Sequence, residues 1–192
     1  MSDLDLLVIG DANPDIILSG GDLEPRYGQA KTAIRQAGLV VGGSAAIVAM
    51  GAARLGMSVG ICGVVGDDAA GRLIREELTG AGVQTDCLRT EPTLPTGISV
   101  IFVRDDDRAI MTASGTISAL SPKGLDRLPD SPARHVHVGG FYLMSETFRS
   151  ALPGAFARFR AAGVTTSIDT GWDPDDEWML DDVFRHLDLF LP

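Results

Sequence analysis

Cysteine is scarce: Cys62 and Cys87 are the only two in 192 residues. They flank an apolar segment without Cys-x-x-Cys or Cys/His ligand spacing, so neither a zinc module nor a disulfide framework is indicated, and a reducing cytoplasm is the expected setting. Long hydrophobic runs are also missing. A glycine or a charge interrupts every apolar stretch well short of the ~20 residues a membrane span needs. The first residues, Met1-Ser2-Asp3-Leu4-Asp5, carry no basic region and no small-residue cleavage site, so they do not read as a signal peptide. Basic residues are outnumbered, 16 Lys and Arg against 26 Asp and Glu, for a formal charge of -10. No basic cluster overrides that field, which disfavours nucleic acid and anionic membranes as partners. What is present is an ordinary globular mixture, 45% apolar and 22% charged. It is enough for one substantial core with a small excursion, and not for two large domains.

The order of patterns is that of an α/β protein. Residues 4–10 form a short apolar run closed by a glycine, as expected of a strand buried on both faces in a parallel sheet. From Asp11 to Val41 the pattern loosens around Pro14, Gly20, Gly21, Pro25 and Gly28 into edge strands and loops. Gly42-Gly43-Ser44 then opens an alanine-rich helix, Ala45–Leu55, with Ser44 as its expected cap. A buried strand over Val59–Val65 and a helix over Ala69–Thr79 follow, the alternation that right-handed crossovers onto a parallel sheet produce. Gly97–Arg104 and Arg108–Ala113 read as a hairpin with a charged tip that leaves the main sheet. Val136–Val138, Thr165–Asp169 and Leu187–Leu191 are further strands, with a helix over Glu146–Ala162 and a loop with a short helix over Ser121–Pro132.

Three constellations bear on chemistry. Gly10-Asp11-Ala12-Asn13-Pro14-Asp15 closes the first strand, and ligands of open α/β sheets bind just beyond such strand ends. The Asp15 carboxylate suits the hydroxyls of a polyol and repels anions, although the same residues also read as a plain turn. Val41-Gly42-Gly43-Ser44-Ala45-Ala46 allows close backbone approach at a helix start; it is neither a dinucleotide fingerprint nor a Walker loop, and a bare turn is the simpler account. Gly66-Asp67-Asp68-Ala69-Ala70-Gly71 reads most economically as a helix cap.

Taken together, these three segments in this order, with Gly82-Val83 and then Thr96-Gly97 after them, resemble the ribokinase-like (PfkB-type) carbohydrate kinases over nearly the whole chain. The resemblance implies a three-layer α/β/α Rossmann-like domain with a small β-lid built from segments 11–41 and 97–113. It implies ATP and magnesium as cofactors, a sugar or sugar acid as phosphoryl acceptor, and a homodimer formed through the lid. Asn13, Asp15, Gly42, Gly43 and Ser44 are the acceptor-binding residues it implies. Ile47 stands where the family commonly has a sugar-contacting asparagine, and Phe141 or Tyr142 offers an apolar surface where some members have a polar contact. The family's Asn-x-x-Glu magnesium motif is expected after the strand ending at Leu191-Pro192, and its Gly-Ala-Gly-Asp segment with the aspartate base beyond that. The chain is therefore expected to supply the sugar-binding half of an enzyme.

Smaller signals are Arg108, suited to a substrate carboxylate or phosphate or else to a solvated lid edge, and Asp169, at a strand end like Asp15. His135 and His137 share one strand face without a third metal ligand and read as half-buried polar residues. A nucleoside kinase of the same fold and a non-catalytic sugar-binding module remain the rival readings.

Overall fold

The computed structural model describes residues 4–173, 177–178 and 180–192. Among the described residues, ten strands divide between two sheets. The larger is six-stranded and parallel, in the order β10-β9-β8-β1-β4-β5. Its strands are β1 (Leu6–Gly10), β4 (Val59–Gly66), β5 (Leu88–Glu91), β8 (His135–Gly139), β9 (Thr165–Asp169) and β10 (Leu189–Leu191). β1 and β4 are buried along their entire lengths, which is why their sequences are continuous apolar runs.

Side chains alternate across the sheet and define two cores. Leu6 and Val8 face α1 (Ser44–Arg54) and α2 (Ala69–Gly80), where Ala45, Ala46 and Ala49 let the helix lie close on the strands beside Ile61, Ile74 and Leu78. Leu7 and Ile9 face the opposite layer, α3 (Pro122–Asp126) and α4 (Glu146–Ala161), whose Phe148, Phe156 and Phe159 pack with Val136, Val138 and Ile168. Each fully buried phenylalanine contributes roughly 1.5–3 kcal/mol through transfer from water. The three-layer α/β/α expectation is met.

The smaller sheet has the order β3-β2-β6-β7 and comprises β2 (Asn13–Gly21), β3 (Ile34–Gly42), β6 (Ile98–Arg104) and β7 (Asp107–Ala113). Two antiparallel hairpins are joined by the parallel pairing of β2 with β6. The β6–β7 turn is tighter than the triple-aspartate tip suggests: Arg104 pairs with Asp107, leaving Asp105 and Asp106 as the loop. Asp105 takes a φ of 52°, as the twist-matched two-residue hairpin turns require.

Several elements depart from the sequence reading. Ser44 does not cap α1; the helix begins with it, the residue before it is Gly43, and no side chain of that turn caps the helix. β5 and α5 (Asp181–Phe184) have no counterpart in the apolar pattern because each is short and half polar. Asp68 does cap α2, accepting from the Gly71 amide at 2.8 Å. It also accepts from the Thr96 amide at 2.8 Å and the Thr96 hydroxyl at 2.7 Å, so the turn after β4 is tied to the start of the β6 hairpin. Asp67 stays at the surface, 3.9 Å from Arg72. No helix among the described residues is long and apolar enough to cross a membrane.

Candidate functional site

The chain leaves β1 towards β4 and β5 on one side and returns to β8 and β9 on the other, so strand order reverses at β1 and β8. The carboxyl ends of such a pair diverge into a crevice. Gly10-Asp11 and Gly139-Gly140 stand at its floor.

Asp11 is 4% exposed and supplies the cap that Ser44 does not. Its carboxylate accepts from the Ser44 amide at 3.1 Å and from the Ala45 amide at 3.0 Å, and its carbonyl accepts from the Ala46 amide at 3.2 Å. The first strand thus grips the amino terminus of α1 and satisfies donors that a helix start leaves open. Burial raises the Asp11 carboxyl above the ordinary range, with the Ala45 and Ser44 amides pulling the other way. Gly43 permits this grip. Its φ is 84°, and a Cβ there would lie 2.8 Å from the Asp11 carbonyl oxygen.

Asp15 lies one turn further out, on β2, directly over Gly42. A Cβ on Gly42 would fall 2.0 Å from the Asp15 carboxyl carbon, so only glycine leaves that carboxylate its place. The buried Asn13 donates to Asp15 Oδ1 at 3.0 Å and to Ser99 Oγ at 3.4 Å, and Ser99 is 3.0 Å from Thr112 Oγ1. Burial raises the Asp15 carboxyl, against hydrogen bonds from Ser99 and Asn13. The result is a half-buried carboxylate, fixed on one oxygen by Asn13 and set against a bare backbone. Such a group accepts hydrogen bonds from adjacent hydroxyls.

Asn13, Asp15, Gly42, Gly43 and the start of α1 at Ser44 are therefore brought together; Ile47, Phe141 and Arg108 stand apart from them, while the charge of Asp169 reaches Asp11 and helps to raise its carboxyl. Ile47 is 54% exposed on the outer side of α1, in an apolar groove with Leu39, Val40 and Met50. Phe141 is 3% exposed; its ring packs edge-on to Tyr142 at 5.0 Å within the α4 core, so it presents no stacking face to the crevice. Arg108 is exposed, four residues along β7 from Thr112, which at ~3.4 Å per residue puts it about 14 Å from the polar row. Asp169 closes β9 and accepts from the Gly171 amide at 2.9 Å, a local turn. His135 and His137 share Ser167 Oγ, at 2.7 and 2.8 Å, and burial lowers His137 to about 4, which keeps it neutral. Among the described residues, no three His, Cys, Asp or Glu side chains gather as a metal site.

Asp11, Ser99 and Thr112 are the site residues that motif reading missed. Ser99 and Thr112 are lone hydroxyls in β-rich strands, a visible signal whose meaning depends on the register that sets them beside Asp15.

The comparisons with known proteins agree with this geometry. The family model described as pfkB family carbohydrate kinase matches residues 3–192. The ATP-dependent ribose-1-phosphate kinase of Halopiger xanaduensis is 36% identical over 169 residues, which cover 86% of this chain and 54% of that protein. The fructokinase of Klebsiella pneumoniae is 31% identical over 178 residues, 88% of this chain and 53% of that one. The chain spans about half the length of these relatives. Among solved structures, Arabidopsis thaliana ribokinase complexed with ribose and ATP superposes with a TM-score of 0.76 at 23% identity, covering 98% of this chain and 59% of that one. A PfkB protein from Polaromonas sp. JS666 gives 0.79 at 24% identity, covering 98% and 65%. At that identity the structural likeness speaks for the fold, and the sequence match for the family. With a parallel α/β sheet, a polar crevice at its reversal point and a family match over nearly every residue, this chain belongs to the pfkB family of carbohydrate kinases.

Proposed function

We propose that this chain forms the acceptor-binding part of an ATP-dependent kinase that phosphorylates a hydroxyl of a small sugar or sugar phosphate. The observation that carries the reading is the placement of the Asp15 carboxylate over Gly42 with Asn13 holding one of its oxygens. In this reading Asp15 accepts from adjacent sugar hydroxyls, Asn13 fixes the carboxylate's rotamer, and Gly42 and Gly43 let the ring approach the backbone. Asp11 acts at one remove, by clamping the turn that carries both glycines. The small sheet carrying Asn13, Asp15, Ser99 and Thr112 acts as the lid; its closure excludes water, which otherwise competes with the sugar for the phosphoryl group. ATP supplies that group. Among the described residues, no three His, Cys, Asp or Glu side chains gather to hold magnesium.

A sugar is favoured over a nucleoside because Phe141 is packed into the core and gives a purine nothing to stack on. The small sheet also exposes Leu39, Ile110 and Met111, at 59%, 52% and 64%, which supports pairing of two such sheets in a homodimer. The setting in this reading is the cytoplasm, where ATP and reduced thiols are both maintained.

The test is ADP formation with ATP, magnesium and, in turn, ribose, ribose 1-phosphate, fructose, 2-keto-3-deoxygluconate and adenosine, alongside calorimetric binding of each. Binding of one of the sugars is expected of this chain by itself, and turnover of a protein in which it is joined to an ATP-binding part. Binding or turnover with adenosine alone would overturn the sugar assignment, and sugar binding without ADP formation by that longer protein would mark a non-catalytic module.

A further inference from the structure

Cys62 and Cys87, distant in sequence and bare of any motif, become neighbours through the sheet. Cys62 lies inside β4 and Cys87 immediately precedes β5. The parallel register sets Gly63 opposite Leu88, so the cysteine before each of them occupies the next rung, and the Gly63 amide donates to the Cys87 carbonyl at 3.4 Å. Adjacent strands run about 4.8 Å apart, inside the roughly 4.4–6.8 Å between Cα atoms that a disulfide spans. Both thiols are free, and each side chain shifts the titration of the other. Their surroundings differ. Cys62 is buried beside the core cluster of Val64 and Leu120, whereas Cys87 is exposed.

We infer that Cys87 and Cys62 form a peroxide-sensitive dithiol site, in which a hydroperoxide oxidises the exposed Cys87 and the buried Cys62 resolves it to an intrachain disulfide. The first step is attack of the Cys87 thiolate on one peroxide oxygen. The O–O bond breaks, and the departing hydroxide takes a proton to leave as water. Cys87 is then a sulfenic acid. The Cys62 sulfur attacks the Cys87 sulfur, the S–O bond breaks, and hydroxide leaves as water with the proton of Cys62. Two thiols and one hydroperoxide give one disulfide and two products, water and water or the corresponding alcohol. A thiol reductant reverses it. The Cys62 side chain lowers the Cys87 thiol, and the Cys87 side chain and burial raise Cys62, so the accessible sulfur is also the more nucleophilic one. A reducing compartment keeps such a pair as thiols until an oxidant arrives, the behaviour of a sensing pair and not of a structural bridge. The disulfide joins the two ends of the α2 crossover and closes it into a covalent loop.

The experiment is brief exposure of the protein to a slight excess of hydrogen peroxide, followed by thiol titration, intact mass and peptide mapping. Both thiols should disappear together, with the mass lower by two hydrogens, a Cys62–Cys87 linked peptide, a higher Tm and full reversal by dithiothreitol. In Cys62→Ser, or Cys62→Ala if the serine variant folds poorly, Cys87 should stop at a sulfenic acid that dimedone traps. In Cys87→Ser, Cys62 should stay reduced. In the unmodified protein, iodoacetamide should label Cys87 at least about tenfold faster than Cys62 at neutral pH. Both thiols surviving the exposure would overturn the inference. So would disulfides formed only between molecules, or Cys62 oxidised equally fast without Cys87.

Discussion

In the six-stranded sheet every residue of β1 and β4 is buried, whereas in the four-stranded sheet every residue of β7 is exposed. The first sheet is sandwiched between helical layers and gains its stability from apolar transfer on both faces. The second meets helices on part of its extent only, β2 against α2 and β3 against α1, and its order rests on those contacts, on ladder hydrogen bonds and on its attachment at Gly42 and Thr96. The polar row from Asp15 to Thr112 lies on this weaker sheet, and Asp11 on the stronger one. On the proposed function, ligand contact and structural support fall to different sheets that meet at the glycine pair. Substitutions should separate them accordingly.

The largest effect is expected in the helical layer of the main sheet. Phe156 is 0% exposed, and Phe156→Ala should cost about 3–5 kcal/mol, read as a lowered urea midpoint at constant slope. Asp11→Ala comes next. It strands the Ser44 and Ala45 amides at a buried helix start and should cost about 2 kcal/mol in the same measurement. If Asp11→Ala weakened sugar binding without touching stability, the division between support and contact would be wrong.

A third prediction concerns pH. Burial raises Asp15 above its ordinary 3.8, so it takes up a proton at a pH where exposed aspartates are still ionised. A protonated Asp15 loses part of its acceptor capacity, so sugar affinity should fall as pH drops through that raised value, and Asp15→Asn should flatten the profile. The contribution of these two carboxyls to stability runs the other way. Between 3.8 and the raised values of Asp11 and Asp15 the native state holds their protons more tightly than the unfolded chain, so that contribution decreases as pH rises through the window, whereas His137, lowered by burial to about 4, makes a contribution that grows with pH towards its ordinary 6.5. The signature is the difference between the unaltered protein and Asp15→Asn: affinity that no longer falls at low pH, measured by calorimetry, and a thermal melt that loses only the Asp15 contribution. The smallest effect belongs to the outer sheet. Asp106 is exposed at the tip of the β6–β7 turn, and Asp106→Ser should change stability by no more than about 0.5 kcal/mol.

The main sheet was legible because burial on both faces writes continuous apolar runs such as Leu6–Gly10 and Val59–Gly66. In the small sheet β6 and β7 were legible as a hairpin, whereas β2 and β3 showed only as undelimited edge strands and loops between Asp11 and Val41, and no local pattern announces that β2 lies parallel to β6. Asp15, Gly42 and Gly43 stood out through residue type at a strand end and a helix start. Asp11 did not, since a carboxylate that caps a helix beginning thirty-odd positions later has no local signature. Phe141 misled for the opposite reason: an aromatic after a strand end reads as a surface, yet the chain turns it back under α4. The contact between Cys62 and Cys87 is likewise a product of register, invisible to spacing.

The most direct measurement is calorimetric titration of a sugar that the unaltered protein binds into Asp15→Ala, paired with a thermal melt of both. Affinity should drop at least tenfold, about 1.4 kcal/mol, while the melting temperature stays within a few degrees. Unchanged affinity in a folded Asp15→Ala protein would contradict the account, because the carboxylate over Gly42 would then not be where the sugar is held.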